Sequence, residues 1–230
     1  MSLQFIAALV SSVVCLTIFR VWSILPAGKH QKRHPKPKRA SCTLAIFLGS
    51  GGHTSEALSL LQALDFERYS KRIYIASQGD SLSISKAVEL ENLKTTPGKC
   101  GGYSVITIPR ARHVHQPLLT TPPTALVSLF SAFYHLTCSP FLNGGFNSRP
   151  FADALILNGP GTCFVLCAII YLNKFIGLPA PELIYIESFA RVRSLSLSGK
   201  LLRPLVDRFI VQWPQILDDQ GRGECSGWLV

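Results

Sequence analysis

Cys42-Thr43-Leu44-Ala45-Ile46-Phe47-Leu48-Gly49-Ser50-Gly51-Gly52-His53-Thr54 decides the fold. An apolar run predicts a buried strand, and a helix is predicted to open near Thr54. Between them, three glycines in four positions let the backbone turn sharply and let a ligand approach it closely. The loop delivers that ligand to the positive end of a helix dipole, where unpaired N–H groups point outward. A phosphate or diphosphate suits such a site, with Gly49, Ser50, Gly51, Gly52 and Thr54 as its cradle. His53 adds an ionisable ring. The helix N-terminus is expected to hold its pKa down, leaving a neutral imidazole able to accept a proton. The loop is not a Walker A loop, because no Lys follows the glycines. It is a poor dinucleotide fingerprint, because the third glycine would fall at Thr54. A plain tight turn capped by His53 is the alternative reading.

Outward from this stretch, strand and helix alternate. Strands are predicted at 42–48, 72–77, 103–108, 153–158, 182–187 and 207–212, and helices at 54–64, 81–94, 122–137, 161–176 and near 198–204. Continuous apolar strands such as Ala154-Leu155-Ile156-Leu157 fit a sheet covered on both faces. The fold class is α/β: a Rossmann-like, doubly wound, mostly parallel sheet. Two helices, Thr124 to Leu136 and Cys163 to Ile176, carry almost no charge on any face. They are either core or an apolar patch for the bilayer or a partner.

Before this domain, Leu3 to Leu25 is a 23-residue apolar stretch with one charge, Arg20, near enough to its end to snorkel. A cleaved signal peptide needs a basic start, and Met1-Ser2-Leu3-Gln4 has none, so the stretch reads as an uncleaved anchor. The net charge is +10, and six of the 23 basic residues fall in the eleven residues from Lys29 to Arg39, with no acid among them. The positive-inside rule places this run, and the chain after it, in the cytosol. The rest of the chain carries only +4, and no nucleic-acid-binding motif accompanies the charge. The domains are thus 1–28, anchor; 29–41, basic linker; 42–230, a cytosolic Rossmann-like domain. The seven cysteines form no CxxC motif and read as buried free thiols, with no metal ligand set.

Ligands of doubly wound sheets bind beyond the carboxyl ends of the strands. Besides the glycine loop, those ends carry Arg110, Arg112, His113 and His115; Asn158, Gly159, Pro160, Gly161 and Thr162; Glu187, Ser188, Arg191 and Arg193; and Gln212, Trp213 and Pro214. Two helix N-termini with several arginines suit a diphosphate, with Arg110 or Arg112 as clamp. His53 is the first candidate base and Glu187 the second.

GSGGHTSE (49–56), IPRARHVHQ (108–116), LILNGPGTC (155–163), YIESFARV (185–192), LSLSGKLL (195–202) and DRFIVQWP (207–214) closely resemble the membrane-anchored subunit of the two-part UDP-N-acetylglucosamine transferase of asparagine-linked glycosylation. The match runs from about Thr43 to Pro214. A more distant likeness is to the N-terminal half of the bacterial lipid II-forming transferase. The resemblance implies one half of a GT-B fold, the acceptor half, on the cytosolic face of the endoplasmic reticulum membrane or the nuclear envelope. It implies transfer of a second N-acetylglucosamine, in β1,4 linkage, to dolichol-diphosphate-N-acetylglucosamine. UDP-N-acetylglucosamine is then the donor, reached through a small cytosolic partner subunit that this chain recruits, and no cofactor is bound by this chain. Residues 218–225 depart from the family's usual ending. A non-catalytic membrane scaffold and a membrane-tethered nicotinamide-dependent reductase are the competing readings. The reductase lacks the third glycine and an acid after the second strand, which ends Ser77-Gln78-Gly79.

Overall fold

In the computed structural model, β1 (Thr43–Leu48) is an interior strand of a seven-stranded parallel sheet, flanked on both sides. The structure describes residues 3–26, 41–94, 102–112, 116–144, 150–159, 161–217, 222–225 and 227–229. The chain runs α1 (Leu3–Ile24), β1, α2 (Gly52–Gln62), β2 (Lys71–Ser77), α3 (Ser81–Lys94), β3 (Gly102–Ile108), α4 (Thr121–Phe133), α5 (Ser139–Gly144), β4 (Ala154–Asn158), α6 (Thr162–Ile176), β5 (Glu182–Ile186), α7 (Leu197–Leu202), β6 (Arg208–Val211) and β7 (Glu224–Cys225). The strand order is β3-β2-β1-β4-β5-β6-β7. The chain winds outward through β2 and β3, then restarts at β4 on the other side of β1. That reversal opens a crevice between the carboxyl ends of β1 and β4.

The unbroken apolar character of β1 follows from its two faces. Leu44, Ile46 and Leu48 pack with Ala57, Leu58 and Leu61 of α2 and with Ala87 and Leu90 of α3. Ala45 and Phe47 point the other way, into a core shared with Ala132 of α4 and Leu166 and Ile169 of α6. Each such Leu, Ile or Phe side chain contributes about 1.5–3 kcal/mol on burial. The doubly wound, parallel architecture matches the expectation from sequence.

Four details differ. Helix α2 begins two residues earlier than expected, so His53 lies within its first turn. The predicted helix 122–137 is α4 followed by a π-turn over Tyr134–Cys138, where Ser139 N–H donates to Tyr134 O. The slip lies next to Pro140, which has no N–H to return to Leu136. A seventh strand, β7, pairs with β6 inside the region that departs from the expected ending. Of the two apolar helices, α6 buries one face in the core and exposes Phe164, Leu172, Phe175 and Ile176, whereas α4 buries Ser128 and Ala132 and leaves Leu126, Val127 and Phe130 exposed, with exposed Tyr134 directly after it.

Helix α1 is long and apolar enough to cross a bilayer, and the rest of the chain buries none of its span. Arg20 does more than reach for an interface: Nη2 donates to Lys174 O at 2.6 Å and Nε to Phe175 O at 3.0 Å. The guanidinium thereby caps the last carbonyls at the negative end of α6, alongside Gly177 N–H, which also donates to Lys174 O. The basic linker lies almost wholly outside the described residues.

Candidate functional site

The loop from β1 to α2 opens into the crevice at the strand-order reversal. Gly51 stands before the first turn of α2 with φ +65° and ψ −122°, a conformation closed to residues with a side chain. Ser50, Gly52 and His53, around the start of α2, line the crevice. The His53 ring lies against the turn after β4. A Cβ on Gly159 would come within 2.8 Å of His53 Cγ, and one on Gly49 within 2.6 Å of His53 Cβ. Both glycines leave the room that the histidine occupies.

A polar network joins three strand ends at this point. His53 Nδ1 lies 3.1 Å from Asn158 Oδ1, at the end of β4. Asn158 Nδ2 donates to Glu56 Oε2 at 3.0 Å. Ser188 Oγ and Phe189 N–H, just beyond β5, donate to Glu56 Oε1 at 2.7 and 3.2 Å. His53 Nδ1 and Glu56 Oε2 are themselves 3.8 Å apart. The expectation that the helix terminus lowers the His53 pKa is overturned. The Glu56 carboxylate, 3.8 Å from Nδ1, raises it above the ordinary histidine value, against the effect of burial, and the contact with Asn158 adds to the rise. For Glu56, burial pushes upward, but the neighbouring His53 ring and the hydrogen bonds from Asn158 and Ser188 outweigh it and hold its carboxyl below the usual range.

The cleft encloses about 1020 Å³, and Ser50, Gly52, His53, Arg112, Gly159, Gly161, Glu187 and Arg191 all line it. Arg112 donates through Nε and Nη2 to Gln116 O, which fixes its stem at the cleft rim. Arg110 is half-buried and is not among the lining residues. Glu187 is buried, and its carboxylate accepts from Ser188 N–H, Ser196 N–H and Ser196 Oγ, so it anchors the start of α7. Thr54, expected in the diphosphate cradle, turns inward: it is buried, its hydroxyl donates to Gly49 O, and Ser83 Oγ lies 2.6 Å away. The first turn of a helix offers one face to the crevice and one to the core, and Thr54 falls on the second. Thr162 is also buried, and its hydroxyl accepts from Ala111 N–H. His113, His115 and Pro160 lie outside the described residues. The residue missed in the sequence reading of the site is Glu56. Its spacing of three from His53 was the available signal, since residues three apart share a helix face.

Fold and cleft define the class: a Rossmann-like α/β domain behind an N-terminal apolar helix, with its polar site at the sheet's switch point. Residues 44–229 match the family described as "Oligosaccharide biosynthesis protein Alg14 like", and the chain belongs to that family. It is thereby one of the glycosyltransferase subunits of the N-glycan pathway. The match continues past Pro214, so the divergent ending is part of the family domain. Proteins called "UDP-N-acetylglucosamine transferase subunit ALG14" are similar along most of their length. The one from Cryptococcus neoformans var. neoformans serotype D (strain JEC21) is 48% identical over 84% of both chains. That of Schizosaccharomyces pombe is 44% identical over 89% of this chain and 91% of its own. That of Mus musculus is 36% identical over 100% of each. Among solved structures, MurG of Acinetobacter baumannii matches with a TM-score of 0.48 and 13% identity, over 80% of this chain and 45% of that one.

Proposed function

We propose that this chain is the acceptor-binding, membrane-anchored half of a two-part N-acetylglucosaminyltransferase. It takes dolichol-diphosphate-N-acetylglucosamine as acceptor and recruits a small cytosolic subunit that binds UDP-N-acetylglucosamine. Together they add the second N-acetylglucosamine in β1,4 linkage at the endoplasmic reticulum membrane. In a chain of this family, the observation that carries the reading is His53. It stands at the N-terminus of α2, in the switch-point cleft, with Nδ1 turned to Asn158 and Glu56.

The acceptor diphosphate sits against the N–H groups at the start of α2, with Arg112 and Arg191 across the cleft. His53 Nε2 takes the proton of the acceptor hydroxyl as that oxygen bonds to the anomeric carbon. The carbon–oxygen bond to UDP breaks, UDP leaves with the electron pair, and the configuration inverts. The leaving diphosphate is stabilised, so the pair of carboxylates used by glycosidases is not required. We assign the base to His53 over Glu187, because the Glu187 carboxylate already accepts three hydrogen bonds from residues 188 and 196.

The test is a reconstituted pair of full chain and partner, assayed with UDP-N-acetylglucosamine and a short-chain lipid-diphosphate sugar. Either chain alone should transfer nothing. His53→Ala should lower kcat by roughly 10²–10⁴-fold with acceptor KM nearly unchanged. Full activity of His53→Ala in an intact complex would instead make this chain a scaffold.

A further inference from the structure

We propose that Glu56 is a positioning residue: through Asn158 it fixes the tautomer of His53 and turns Nε2 to the cleft. This rests on His53 being the base.

The argument is one of donors and acceptors. An ionised carboxylate only accepts. Asn158 is fully buried, and its Nδ2 faces Glu56 Oε2 at 3.0 Å. That orients the amide, so Asn158 Oδ1 is the atom presented to His53, at 3.1 Å from Nδ1. Nδ1 must then carry the proton, and Nε2 keeps its lone pair. The glycines at 49 and 159 hold the ring in this slot, and its side chain remains 34% exposed on the cleft side. Glu56 Oε1 is held by Ser188 Oγ and Phe189 N–H, so the carboxylate cannot swing away. The other charged groups near His53 are Glu187, at the end of β5, and the cleft-lining Arg112 and Arg191.

A merely structural Glu56 would tolerate glutamine, which matches it in shape. The positioning role predicts otherwise. In Glu56→Gln the new NH2 confronts the Asn158 NH2, two donors face each other, and the Asn158 amide turns over. Its NH2 then meets His53 Nδ1, the ring proton moves to Nε2, and the base is blocked. Adding Asn158→Asp repairs the relay. The NH2 of the introduced amide donates to one oxygen of the introduced carboxylate, and the other oxygen accepts His53 Nδ1–H.

The experiment uses the full chain with its partner in nanodiscs, labelled with 15N-histidine. The wild type should show His53 protonated at Nδ1. Glu56→Gln should show the Nε2–H form, titrate at lower pH, and transfer sugar at a rate lower by roughly tenfold or more. The double variant Glu56→Gln/Asn158→Asp should recover tautomer, titration and rate together. An unchanged His53 tautomer and titration in folded Glu56→Gln would overturn the proposal. So would an Nε2–H tautomer in the double variant, which decides the matter should the single one not fold. The His53→Ala assay separates the two claims. If the tautomer follows Glu56 as described while His53→Ala transfers normally, the positioning assignment stands and the base assignment falls.

Discussion

At the residue scale, the His53–Glu56 pair links charge to stability with a definite sign. The folded pKa of His53 is raised above its ordinary 6.5, so its contribution is fully present below pH 6.5 and is lost as pH rises through the folded value. The folded pKa of Glu56 is lowered from its ordinary 4.5, so its contribution is present above pH 4.5 and is lost as pH falls through the folded value. The two overlap between pH 4.5 and 6.5. Melting wild type and Glu56→Gln from acid to mildly alkaline pH should give a Tm difference that is largest in this window and shrinks on both sides. A difference independent of pH would show that the coupling is absent. The glycines beside the pair fail in different ways. A Cβ at Gly51 meets open space but must adopt φ +65°, so Gly51→Val acts through backbone strain, on the order of 1–3 kcal/mol, and should raise the acceptor KM. Gly159 shares the backbone strain, at φ +105°, but a Cβ there also meets the His53 ring itself, so Gly159→Ala should in addition lower kcat by displacing the base. Thermal melts separate these effects from unfolding.

At the element scale, the strands and helices were legible where the signal was local. β1 could be read because its buried residues are apolar on both faces, and α2 because glycines and a helix opening follow such a strand. What could not be read depends on residues far apart. Asn158 and Glu56 are 102 positions apart and meet only because β4 returns beside β1. β7 has two residues, too few for any periodicity, and is held by its pairing with β6 and by Arg208 on Glu224 at 2.5 Å. The same applies to the ion pair that ties α3 to β2. Arg72 and Glu91 are both 1% exposed, joined by Nε to Oε1 at 2.6 Å and Nη2 to Oε2 at 2.7 Å. Tyr74 Oη–H donates to the same Oε1, Arg72 Nη1 donates to Tyr69 O, and the guanidinium lies over Phe66. Removing one partner leaves a buried charge uncompensated. Glu91→Ala should therefore destabilise the domain by about 3–5 kcal/mol, and Arg72→Met/Glu91→Leu should recover most of it. Denaturant unfolding measures both, and a loss under about 1 kcal/mol in Glu91→Ala would refute a structural role for the pair.

At the scale of the whole molecule, α1 and the domain share a defined joint. Arg20 lies near the end of α1 and bonds the last carbonyls of α6. The domain is therefore held at the Arg20 end of the span, the same end from which the basic run of 29–39 departs. Positive charge beside a span remains on the cytosolic side. On the function proposed above, joint and charge rule predict a cleft that faces the cytosol, open to a nucleotide-sugar donor and a soluble partner subunit. The exposed apolar row of α4 belongs to the same assembly, since α4 packs on α6 and α6 carries the joint. In intact microsomes, a tag appended after Val230 should be digested by added protease without detergent, while a tag ahead of Met1 should be protected. Arg20→Ala should leave this orientation unchanged, because the linker charges remain. It should increase hydrogen exchange around residues 174–178, where the capping contacts are lost. Protection of the C-terminal tag would put the cleft in the lumen, and the donor, the partner and the acceptor-half reading would all have to be abandoned together.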